Sequence, residues 1–323
     1  MNTMHWLLKR EFWEHRGGFF WAPLWTGAAV LALTLLGLFA GEVRMLQAGD
    51  GASNSALSML FFSEQTPGQI EHAAKLLNGS LLGVNALFGL VMGVVLFFYL
   101  LGALYDDRRD RSVLFWKSLP VSDAGTVISK ALMATVLIPF LVFGLMLVTW
   151  LLLQILFSVF VLIHGGSPWT LIWGQHSLLP MLAVMLADLP AHMLWSLLAV
   201  GWLLLCSAAV RSKPFLWAVL IPVLAGIANG WIGLMGVPNL PAWFVWREGI
   251  ARMLLGMLGL YGTWGQTRSV GDGALRSGSI FGWEAAGRGL GALYASPELW
   301  IGALVGIAMI AGAVWFRRRS SEA

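Results

Sequence analysis

The chain is 323 residues long, 58% hydrophobic and only 11% charged, with a net charge of +4 and a mean hydropathy of +0.77. A soluble domain carries about 25% charged residues, so a water-surrounded globule is excluded and a membrane composition takes its place. The single cysteine, Cys206, sits in an apolar run, which excludes a disulfide framework and a thiolate metal cluster.

In chain order, Asn2 to Arg16 reads as an interfacial helix: Met4, Leu8 and Phe12 share one face, while Trp6 and Trp13 form a second strip. The uncharged run Gly17 to Gly41 is longer than a signal-peptide core and lacks a convincing cleavage site, so it is expected to stay as a first span, about Phe19 to Ala40. A bilayer core about 30 Å thick needs about 20 apolar helical residues, and five further runs meet that length. The second lies at 78–105. The third, 131–163, ends where Gly165, Gly166 and Pro168 interrupt the apolar sequence. His176 to Ala187 is too short to cross and is expected to be interfacial or re-entrant. Asp188 and Pro190 look like an N-cap and first-turn proline opening a fourth span to about Val210. Ser212, Lys213 and Pro214 turn the chain into a fifth, 215–234, with Pro222 a kink site. Ser296, Pro297 and Glu298 supply a cap, a proline and an acid before a sixth, 299–316, which ends at Arg317, Arg318 and Arg319.

Lys and Arg in short loops mark the cytoplasmic side. Lys9, Arg10, Arg16, Arg108, Arg109, Arg111, Lys117, Lys130, Arg211, Lys213 and the three closing arginines all fall on one side of the six-span plan. The opposite short loops hold only Arg44 and Lys75. Both termini are therefore expected in the cytoplasm, with segment 235–298 outside. The expected class is an all-α integral membrane protein forming one transmembrane domain.

No lysine follows a glycine, so the GxxxxGK[ST] phosphate loop is missing, as are HExxH, GxSxG and CxxC. No catalytic site, metal site or cofactor site is expected, and any ATP and its magnesium would belong to a partner. Asp188 and His192 lie four apart, either as a proton or metal pair or as an N-cap beside a polar neighbour. Asn78 and Asn85 suit interhelical hydrogen bonds or substrate contact. Trp21, Trp25, Trp169, Trp173, Trp300 and Trp315 fall near span ends, where aromatic belts belong.

The charged knot YDDRRDRSVLFWKSLPV, Tyr105 to Val121, has helical amphipathicity: Val113, Phe115, Trp116 and Leu119 share an arc opposite Asp107, Asp110, Arg111 and Lys117. Such a helix either lies on lipid or enters a groove of a soluble partner. The interleaved Asp106, Asp107 and Asp110 favour a protein interface, where rim charges fix register. Pro120 stops it, and Ser122 with Asp123 offers the cap of a helix running through Lys130 into span three.

KREFWEHR near the N-terminus, the six-span plan, LYDDRRDRSVLFWKSLPVSD, and RSKPFLWAVLIP between spans four and five resemble the permease subunits of bacterial ABC-2 type transporters. The resemblance implies an inner-membrane exporter in which two permease subunits, as homodimer or heterodimer, each dock a separate ATP-binding subunit through a coupling helix between spans two and three. It implies that Arg108, Arg109, Asp110, Arg111, Val113, Phe115, Trp116 and Lys117 are docking residues, and that short re-entrant helices fall within 235–298. The competing classes are an ATP-independent secondary transporter and a non-transporting subunit that remodels an outer-side partner. Nucleic acid is not an expected partner.

Overall fold

The computed structural model describes residues 3–48, 67–110, 122–173, 178–258 and 290–319, all built from helices and their connections. Among the described residues six helices are long and apolar enough to cross a membrane: Gly17–Arg44, Gly83–Arg109, Asp123–Ile163, Met185–Ala209, Pro214–Leu234 and Pro297–Arg319. The protein is a multi-pass membrane protein. Helices are the physical solution because the hydrocarbon offers no partner for a free amide or carbonyl.

Helix α1, Thr3–Glu14, leads through a widened turn of π geometry, Gly17–Trp21, into α2, Ala22–Ala48. The long α3, Pro67–Ala103, is followed by the short α4, Tyr105–Arg109. Ser122 caps α5, Asp123–Leu132, its hydroxyl accepting from the Gly125 amide at 3.0 Å. A second π segment, Met133–Leu137, joins α5 to α6, Ile138–Ile163. Pro139 explains the widening: it lacks the amide that would bond the Thr135 carbonyl, and a looser turn absorbs the mismatch.

The fourth crossing corrects the expectation at Asp188. Helix α7 runs unbroken over Leu178–Ala209 with Pro190 inside it, so Asp188 caps nothing and 178–187 is no separate interfacial piece. A proline inside a soluble helix breaks it, but in a membrane bundle a neighbour can serve the loosened turn. Here Pro190 withholds its amide from the Leu186 carbonyl, and one residue on the Tyr294 hydroxyl donates to the Ala187 carbonyl at 3.3 Å.

Lys213, at φ 52, turns the chain left-handed into α8, Pro214–Leu234. Beyond it lie the consecutive helical pieces Ala242–Phe244, Val245–Ala251 and Arg252–Leu255, then α9, Pro297–Arg319. Proline opens α9 as expected, but the Ser296 hydroxyl donates backwards to the Leu293 carbonyl, at 2.7 Å.

The core is shared by α3, the π segment Met133–Leu137, α6 and α7, where Phe88, Leu96, Leu100, Met133, Ile138, Leu203 and Leu204 are all but sealed. Helices α7 and α9 approach until backbones touch. A Cβ on Gly201 would fall on the Gly306 carbonyl, and one on Gly306 on the Leu197 carbonyl. Lipid tails are as apolar as leucine, so helices associate through such small-residue contacts instead of through water exclusion. Gly93 of α3 serves the same end within this chain, since a Cβ there would meet Leu258.

Candidate functional site

The α1 face that turns inward carries Leu7 and, one turn later, Glu11, which is fully buried. A buried carboxylate must be paired. Lys130 Nζ approaches Glu11 Oε1 at 3.0 Å, Arg10 Nη2 approaches the same oxygen at 2.8 Å, and the Tyr99 hydroxyl donates to Oε2 at 3.0 Å. Lys130 also lies 3.9 Å from Asp107 Oδ2 of α4. Arg317, in the last turn of α9, spans two carboxylates: its Nη1 is 3.1 Å from Asp107 and its Nε 3.2 Å from Asp123. Asp123 opens α5 and Lys130 lies seven residues on, two turns along the same face.

The result is a continuous lattice, Arg10–Glu11–Lys130–Asp107–Arg317–Asp123, of three cations and three carboxylates from α1, α4, α5 and α9. It puts the N-terminal helix, the start of the 106–130 segment and the end of α9 at one end of the bundle. Burial pushes the Glu11 carboxyl up, but the charge and hydrogen bond of Lys130, then Arg10 and Tyr99, outweigh it and hold the carboxyl below its usual value.

A second set of bonds fastens the same segment to α7. The buried Ser207 hydroxyl donates to the Leu101 carbonyl at 2.8 Å and accepts from the Leu104 and Tyr105 amides, each at 3.0 Å. The Arg108 guanidinium donates to the carbonyls of Ser207 and Val210, the latter at 2.9 Å, where a cation suits the negative end of a helix.

Of the residues implied for docking, Arg108 is thus engaged within the chain, while Arg109 and Asp110 project from the surface. Arg111, Val113, Phe115, Trp116 and Lys117 lie outside the described residues. Residue-by-residue reading missed Glu11, Lys130, Asp107, Asp123 and Arg317 as a group. The available signal was a glutamate within the apolar face of α1. Glu11, Glu14 and His15 bring three ligand atoms within 4.8 Å of one another, but both Glu11 oxygens already have partners, so a metal there would have to displace Lys130.

The opposite end has its own buried charge. Arg252 stacks 3.8 Å over the Trp195 ring and donates to the carbonyls of Trp195 at 3.3 Å, Glu298 at 2.6 Å and Leu299 at 3.3 Å. Gly302 leaves room for its guanidinium. Asp188 lies inside α7, its Oδ1 buried with no hydrogen-bond partner, one turn before the buried His192. On α3, Asn85 Oδ1 is likewise buried without a partner, so the interhelical bond expected of Asn85 is not made through that atom. Compared with known protein families, curated proteins and solved structures, the chain matches none of them.

Proposed function

We propose that this chain is the permease subunit of an ATP-driven transporter of the ABC-2 type. With a second permease subunit it forms an export path across a bacterial inner membrane. Both termini and the 106–130 segment are cytoplasmic, and a separate subunit binds ATP and magnesium. The observation that carries this reading is the anchoring of α4. A docking element must pass force to the spans without yielding, and α4 is held by Arg317 and Lys130 on one side and by Ser207 on the other. Arg109 and Asp110, exposed beyond these anchors, stand where a soluble subunit can reach them. Movement of that subunit would then reach α1, α5, α7 and α9 together, because one lattice and one serine bind them.

The test is affinity purification from native membranes, with and without ATP. Recovery of a P-loop ATPase supports the reading, and a preparation free of any ATPase that still transports in liposomes refutes it. Stimulation of that ATPase by cargo separates export from remodelling of a partner.

Asp188 favours a second reading, an ion-coupled secondary transporter. A carboxylate with one oxygen buried and unpartnered, one turn from a buried histidine in a crossing helix, is the kind of group that carries protons across membranes. Under that reading Asp188→Asn abolishes transport driven by a proton gradient, whereas under the permease reading ATP alone drives transport.

A further inference from the structure

Helix α1 has an outward side that the lattice does not use. Trp6 and Trp13, seven residues apart and on one face, are 53% and 56% exposed. Each carries a cation over its ring: Lys9 Nζ lies 5.2 Å from the Trp6 centroid and the Arg16 guanidinium 5.7 Å from that of Trp13. At the same end of the bundle, in the last turns of α9, Arg319 stacks 3.9 Å over Trp315, which is 46% exposed. Inward-facing Arg10, Lys130 and Arg317 are all paired with carboxylates. Among the described residues no carboxylate pairs with Lys9, Arg16 or Arg319.

We infer that these three tryptophan–cation pairs form a rim that binds anionic phospholipid headgroups. Two of them stand at the limits of crossing helices: Arg16 precedes the span that begins at Gly17, and Arg319 closes the span that begins at Pro297. An indole settles at the boundary between acyl chain and headgroup, with its apolar ring inward and its N–H toward water. A cation held beside it meets the phosphodiester layer. An uncompensated positive charge there gains from a phosphatidylglycerol headgroup what a zwitterionic phosphatidylcholine cannot supply. An acidic protein surface would also attract the cations, but three separate exposed indoles at the end of the bundle where two spans terminate fit the lipid boundary better.

The expected gain is about fivefold in relative affinity per cation, or about a hundredfold for three at low salt. The purified full chain, stripped of lipid in neutral detergent, is titrated with phosphatidylglycerol and with phosphatidylcholine of matched acyl chains, and bound lipid is counted by native mass spectrometry. The wild type should prefer phosphatidylglycerol, and the Lys9→Gln, Arg16→Gln, Arg319→Gln triple variant should lose most of that preference. Arg44→Gln, at the far end of α2, should keep it. The inference is overturned if the wild type binds both lipids equally, or if the triple variant keeps the preference. If the triple variant does not fold, the single variants and a salt titration of the wild type decide the matter, since a headgroup preference that ignores salt is not electrostatic. None of these results depends on an ATPase.

Discussion

Removing Lys130 should expose what the lattice contributes. At 3.0 Å from Glu11, and with an effective dielectric constant of about 20, its Coulomb attraction is about 5 kcal/mol before desolvation is counted. Removing one partner of a buried pair costs about 3–5 kcal/mol, because the other charge stays behind unpaired. Lys130→Met leaves Glu11 with Arg10 and Tyr99, and leaves Asp107 with Arg317, so the low end, about 3 kcal/mol, is expected. Glu11→Gln strands Lys130 beside a more distant Asp107, at 3.9 Å, at a similar cost. The double variant has neither stranded charge and should lose no more than either single variant, about 3 kcal/mol at most, not the sum of about 6. At about 2 °C per kcal/mol for a chain of this size, each single variant melts about 6 °C low and the double no lower. The assay is thermal unfolding of the detergent-solubilised chain, followed by tryptophan fluorescence. Additive losses, within about 0.5 kcal/mol of the sum, would refute a coupled pair.

The remaining predictions concern pH, close packing and the opposite end. Glu11 is held below its ordinary value of 4.5 when folded, so its contribution is complete above that value and is lost as pH falls through the depressed one. Wild-type stability relative to Glu11→Gln should therefore stay constant from pH 7 to about 5 and fall only in stronger acid, as read from melting curves across that range. Gly306→Ala should destabilise by on the order of 1–3 kcal/mol, because the new methyl meets the Leu197 backbone, while Gly37→Ala, with nothing near its Cβ, should be neutral or better. Gly302→Ala should be costly beside Arg252 and nearly harmless in an Arg252→Met background, a non-additivity that the same melts would detect.

The six crossings were legible because lipid enforces one rule everywhere, a helix of about 20 apolar residues, and hydropathy alone reveals it. The cap at Ser122 was legible for a local reason: a hydroxyl three residues from the Gly125 amide needs no tertiary partner. Asp188 and Pro190 misled because they carry the local signature of a helix start, while the contact that accompanies their turn, from the Tyr294 hydroxyl to the Ala187 carbonyl, comes from a distant part of the chain. The lattice was illegible for the same reason. Arg317 meets Asp107 across 210 positions, and Glu11 meets Tyr99 across 88, so no spacing rule connects them. Counting cations by side grouped Lys9, Arg10, Arg16, Lys130 and Arg317 as one population. The folded chain divides them into paired inward charges and bare outward ones.

A photoreactive benzoylphenylalanine placed at Arg109, and separately at Val237 near the opposite end, reports in intact cells whether the end of α4 meets a soluble motor subunit. Illumination should join residue 109, and not 237, to a nucleotide-binding subunit. Cross-linking of 109 to no ATPase, or to a partner on the outer side of the membrane, would contradict the permease reading.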